Sequence, residues 1–195
     1  PMIGRLNIID LNGENCNKAM ANRANLTKVA DAMENYALLH SGAMMPHIEG
    51  VPDQAAHVYG YLAGVMNSEK VIKGTGRGRD KAHDCIKMAS VLAGGEEEMR
   101  KNPNIFTTTN PVSPLQHDRI QMEGLIEYAK HGLPIDITAE VQAGATGPIT
   151  LAGLLVQQNA EILSGITIAQ LVFLQTPVIY CTCGTIMDMR SGMIA

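Results

Sequence analysis

The sequence predicts an α/β fold built on a parallel sheet. Short apolar stretches alternate with amphipathic segments along most of the chain, which is the pattern of successive βα units. Gly, Pro and Asn punctuate the changeovers. No linker, low-complexity stretch or composition shift divides the 195 residues, so residues 1–195 are expected to form a single domain.

The opening "RLNIIDLNGE" alternates apolar and polar residues and ends in Asn-Gly, a hairpin signal. Residues 1–20 therefore read as a peripheral β ribbon, and residues 21–195 as βα units. "NLTKVADAMENYALLH" places Leu26, Val29, Ala30 and Met33 at helical spacing. "SGAMMPHIEG" is a strand running into a loop. "VPDQAAHVYGYLAGVMN" starts a helix, with Pro52 near the first turn, where its missing N–H costs nothing. "EKVIKGTGRG" is a strand and Gly-rich loop. "RDKAHDCIKMASVLAGG" is a helix with Ala82, Cys85, Ile86 and Ala89 on one face and Gly94-Gly95 as its stop.

"EEEMRKNPN" reads as a solvated charged turn. "IFTTTNPVSPL" is a strand and turn, with Ser113 capping the helix "QHDRIQMEGLIEYAKHG", which closes at Gly132. "LPIDITAEVQAGATG" is a strand and loop. "PITLAGLLVQQNAEILSG" is a helix with Pro148 at its start, followed by more helix around "ITIAQLVFL". "PVIYCTCG" is the last strand and reads as buried. Five β units result, four of them followed by helices. A doubly wound sheet and a (β/α)8 barrel both fit this order. A complete barrel takes about 250 residues and eight strands, so on barrel logic the chain is an incomplete (β/α)8 TIM barrel of about five βα units.

The bulk numbers exclude some functions. The formal net charge of -4 lacks the basic footprint of a nucleic-acid binder. No unbroken apolar run approaches 20 residues, so no membrane span is expected, and a cytoplasmic protein is the default expectation. Of the four cysteines, Cys181 and Cys183 form C-x-C, which is not the C-x-x-C of zinc and redox sites. They read as small apolar side chains near a site.

Several stretches could carry chemistry. "VIKGTGRGRD" sits between a strand and a helix but is neither G-x-G-x-x-G nor a P-loop; it reads best as a tight βα turn. In "TTTNPVSPLQHDR", two prolines stiffen a loop at a strand's carboxyl end, the active face of a barrel. In "DITAEVQAGATGPITLAG", Asp136 lies early in the strand, whereas Glu140 and Gln142 lie late, where the loop opens. A carboxylate there suits holding a cationic amine or moving a proton. Glu140, Gln142 and Asn110 are the catalytic candidates. His47, Thr109, Thr146 and Cys183 are the substrate-binding candidates. His57, His83, His117 and His131 fall on helices or helix ends and read as solvated or capping residues. Their spacing is no metal motif, so no metal is expected.

"GTGRG", "KAHDCIKMASVLAGGEEEMRKNP", "NPVSPLQHDR", "AGATGPITLAGLLVQQNAEILSG" and "GTIMDMRSG" together resemble the trimethylamine:corrinoid methyltransferase family, in the right order and over essentially the whole chain. The resemblance is to the family's middle portion. It implies a segment before Pro1 and further βα units after Ala195. It also implies a (β/α)8 barrel that moves a methyl group from a methylated amine to the cobalt of a separate corrinoid protein, which carries the cobamide; no cofactor is bound directly. Trimethylamine members contain pyrrolysine, encoded by an in-frame amber codon. Relatives without it act on quaternary amines such as glycine betaine. The expectation is that an amber codon directly follows Ala195, leaving the 195 residues inactive by themselves. Asp188 and Arg190 would support the loop beside the pyrrolysine. The partners implied are the corrinoid protein and the amine, with room for a homo-oligomer. The competing reading from another class is a non-catalytic barrel fragment that binds the corrinoid protein.

Overall fold

The computed structural model describes Pro52, residues 54–66 and residues 70–194. The amino-terminal ribbon, the helix around Leu26 and the strand before His47 lie outside the described residues. The chain divides into two compact units, each built from two segments. One comprises Pro1–Thr75 and Asp84–Phe106; the other comprises Gly76–His83 and Thr107–Ala195.

The described part of the first unit begins with helix α1 (Ala56–Val65), followed by the short strand β1 (Ile72–Lys73). It also holds most of helix α2 (Arg79–Ala93), helix α3 (Glu96–Lys101) and the first residues of strand β2 (Ile105–Thr109). β1 pairs in parallel with β2, Ile72 beside Ile105. Tyr61, Ile72, Cys85, Ile86, Ala89, Met99 and Ile105 fill the core. Gly64 lets α1 close on β1, since a Cβ there would stand 3.0 Å from Ile72 Cγ2. The predicted stop after α2 holds, with Gly94 and Gly95 at φ 84° and 136°. The expected charged turn is instead α3. Glu96, Glu97 and Glu98 occupy its first turn and Arg100 and Lys101 its last, the order the helix dipole favours, and buried Met99 anchors it.

In the second unit, the end of β2 pairs in parallel with β3 (Ile135–Ala139), and β3 pairs in parallel with β5 (Val178–Thr182). Helices α4 (Arg119–Lys130) and α5 (Leu151–Val172) follow β2 and β3. The ladder continues beyond the main sheet. Strand β4 (Gln142–Ala143) pairs in parallel with β6 (Thr185–Ile186). Two caps differ from expectation. Asp118, not Ser113, caps α4 by accepting from Gln121 N at 3.2 Å, because Ser113 is engaged elsewhere. Thr150, two residues past Pro148, caps α5. The helical run after Gly165 is not separate: α5 is one helix of 22 residues. Gly165 lies against β3, where a Cβ would stand 3.1 Å from Ile137 Cγ2.

The fold is therefore mixed α/β with four parallel strands in the order β1-β2-β3-β5. β5 departs from its buried reading, with Ile179 and Tyr180 each 48% exposed. Among the described residues it is paired only with β3 in the main sheet, so it is an edge with an uncovered face.

Candidate functional site at the carboxyl ends of the strands

Strand alternation divides the second unit's sheet into two faces. Thr107, Thr109, Ile135, Ile137 and Ala139 are buried on one. Tyr180 shares that face and donates to Asn159 of α5 at 3.0 Å, so this is the helix side. Thr108, Asp136, Thr138 and Cys181 share the other. There the Asp136 carboxylate accepts from the hydroxyls of Thr108 at 3.1 Å and Thr138 at 2.7 Å. Asp136, early in its strand, is half-buried and tied to both neighbours.

One step past the strand ends, the same alternation carries Asn110, Glu140 and Cys183 to that second face. Asn110 follows β2 and Glu140 follows β3. Asn110 Nδ2 donates to Glu140 Oε1 at 2.9 Å and to the Thr138 carbonyl at 3.1 Å. The backbone N–H of Asn110 donates to Gln121 Oε1 at 2.7 Å, so α4 fixes the amide from behind. Glu140 is exposed, and among the described residues its only hydrogen bond is the one from Asn110. Cys183 feels the group: partial burial, then Cys181, Glu140 and Asp136, push its thiol above the ordinary range.

The other predicted residues take different places. Gln142 lies in β4, and its N–H donates to Thr146 Oγ1 at 3.0 Å. Thr146 thus closes the turn after β4, and Gly144 supplies the positive φ (82°) that the turn needs. Thr109 is not brought to the group. It lies on the helix side, 1% exposed, and its hydroxyl has no partner among the described residues. His47 lies outside the described residues. Asp188 organises its own turn, accepting from the Arg190 N–H at 2.9 Å and the Ser191 hydroxyl at 2.8 Å. These bonds, led by that from Arg190, hold its carboxyl below the ordinary range.

Glu161 escaped sequence reading. It is 2% exposed in the middle of α5. It accepts from Ser113 Oγ at 2.7 Å, from the Leu115 N–H at 2.9 Å and from Gln157 Nε2 at 2.9 Å. It therefore pins the proline loop that follows Asn110. Beside it, His117 meets Ser164 Oγ at 2.7 Å. Burial pushes this imidazole's pKa down, and the Glu161 charge offsets part of that shift. The glycine loop serves packing, as its sequence suggested. A side chain on Gly124 would overlap the Gly76 carbonyl, and one on Gly76 would reach Thr107 Oγ1 at 2.5 Å.

Parallel strands that deliver polar side chains to one carboxyl edge define an α/β protein of the kind that handles ligands there. The chain belongs to the trimethylamine methyltransferase (MTTB) family, whose model matches residues 1–195. It is 34% identical over 195 residues to a glycine betaine methyltransferase of Desulfitobacterium hafniense strain Y51, covering 100% of this chain and 40% of that protein. It is 34% identical over 175 residues to the trimethylamine methyltransferase MttB of D. hafniense strain DSM 10664 / DCB-2, covering 86% and 33%. It is 31% identical over 172 residues to the MttB of Methanosarcina barkeri strain Fusaro / DSM 804, covering 87% and 34%. The chain thus spans 40% or less of the length of these relatives. No helix among the described residues is long and apolar enough to cross a membrane.

Proposed function

We propose that the chain is part of a (β/α)8-barrel methyltransferase that takes a methyl group from trimethylamine, passes it to the cobalt of a corrinoid protein and releases dimethylamine. The observation that carries this reading is the exposed Glu140 carboxylate, oriented by Asn110 at the carboxyl edge of a family member's parallel sheet. The cobamide on the partner supplies the cobalt nucleophile. This chain's residues would bind and aim the amine. A methyl leaves nitrogen readily only when the nitrogen is positively charged and tetrahedral. Glu140 would stabilise that charge, and Asn110 would keep the carboxylate from turning away. Gln142 would position the substrate from the neighbouring turn. Cys183 would add an uncharged thiol wall, its raised pKa keeping a second negative charge out of the site. The Asp188–Arg190 turn would support the loop beside the site.

The second reading is a glycine betaine enzyme, favoured by the match to such a relative over all 195 residues. Charge argues for trimethylamine: betaine's carboxylate would face Glu140 and Asp136, whereas trimethylamine carries no negative group. The full-length gene product is tested with a reduced corrinoid partner and each amine in turn, following the cobalt absorbance. Methylation from trimethylamine alone is expected. Methylation from betaine alone selects the second reading. Partner binding without transfer from either amine overturns both in favour of a non-catalytic binding module.

A further inference from the structure

A second chemical cluster lies away from the strand ends. His83 of α2, Glu127 of α4 and His131 at the carboxyl end of α4 bring one donor atom each to within 4.8 Å of one another. His83 Nδ1 is 3.1 Å and His131 Nε2 3.9 Å from the same oxygen, Glu127 Oε1. The two imidazole rings are tilted at 46°, with centroids 6.2 Å apart. Glu127 and His131 are four apart on one helix face, and His83 arrives from 44 residues before Glu127. Among the described residues this is the one such group of three.

We propose that His83, Glu127 and His131 form a binding site for a divalent transition metal of the zinc class, clamping α2 to α4. Two imidazoles and one carboxylate are a complete protein donor set for zinc, leaving one tetrahedral position for water. Tetrahedral bonds of about 2.1 Å would place donors about 3.4 Å apart, so small side-chain movements gather the present atoms around an ion. Glu127 is buried, which orients its carboxylate, while His83 is 40% exposed and gives the ion a way in. The carboxyl end of α4 adds the favourable pole of the helix dipole. Lys130 opposes binding, but its ammonium sits 3.5 Å from Oε2, the oxygen the site does not use, and is half exposed to screening water. The imidazole nitrogens favour zinc, cobalt, nickel or copper over magnesium and calcium, which prefer oxygen donors.

The test uses metal-free protein titrated with Zn2+ against a chelator, and with Co2+ followed by its d–d absorption. One equivalent of Zn2+ should bind. The Co2+ complex should show a tetrahedral spectrum without a thiolate charge-transfer band. His83→Gln, a change at a solvent-accessible position, should weaken binding at least tenfold, as should His131→Gln, while Cys181→Ser with Cys183→Ser leaves affinity unchanged. Circular dichroism of each variant confirms that it is folded. Absence of saturable Zn2+ binding, unchanged affinity in folded His83→Gln, or loss of binding in the cysteine variant would overturn the site.

Discussion

Glu140 and Glu161 are carboxylates of the same unit with opposite lives. Glu161 is buried and accepts three hydrogen bonds, from Ser113, Leu115 and Gln157. Glu140 is exposed and accepts one, from Asn110. A saturated carboxylate fixes structure, because removing it strands every donor it served. A carboxylate with spare acceptor sites can meet something that arrives. The difference separates the residue that builds the loop from the residue that would use it.

The largest effect should come from Glu161→Ala. Three part-buried donors lose their acceptor, and the loss should reach about 2 kcal/mol in denaturant unfolding. A loss below about 0.5 kcal/mol, the range of ordinary surface changes, would erase the contrast. Glu140→Gln should invert the pattern. Stability should stay within about 0.5 kcal/mol, while methyl transfer by the full-length protein falls at least tenfold. Normal turnover in this variant would remove Glu140 from the chemistry.

A smaller, pH-dependent effect sharpens the Glu161 side. Burial lowers the pKa of His117, so the folded state favours the neutral ring. The unfolded chain then binds the proton more readily, and stability should fall as pH drops through the unfolded histidine value of about 6.5 toward the lower folded value. Melting temperatures above and below that window should show a steeper acid slope for wild type than for His117→Gln. Equal slopes would dismiss the effect. Asp188→Asn should do least. The carboxylate is fully exposed, so the unfolding midpoint should hardly move, while the Arg190 amide, which donates to the carboxylate, and the Gly192 amide, which donates to the Asp188 backbone carbonyl across the same turn, exchange faster with solvent. Because the folded Asp188 pKa is lowered, its contribution is present above the unfolded aspartate value and fades as pH falls through the folded one. Unaltered exchange at both amides in Asp188→Asn would rule out its holding the turn.

The βα rhythm was legible because parallel strands and covering helices impose different periods on apolar residues. β2, α4, β3 and β5 followed from it. α3 was not legible: six residues with five charges look like a turn until the dipole and the burial of Met99 are counted. The exposure of β5 could not be read either, since burial depends on neighbours and not on a strand's own residues. Asn110 and Glu140 were legible from their places at strand ends, which parallel pairing converts into proximity. Thr109 was misplaced by one step of alternation, enough to send it to the opposite face. Glu161 and the His83–Glu127 pair were hidden because their partners lie 48 and 44 residues away.

The small β4–β6 ladder has a mechanical consequence. Cys183, Thr185 and Met187 donate in succession to the carbonyls of Ala139, Val141 and Ala143. Glu140 sits between the first two rungs of this zip. A tug on the segment from Cys183 to Met187 must therefore shift the backbone of Glu140 too, unless a rung breaks. The two stretches form one lever, and a spectroscopic probe attached to the exposed thiol of Cys183 would register the movements of the Glu140 backbone.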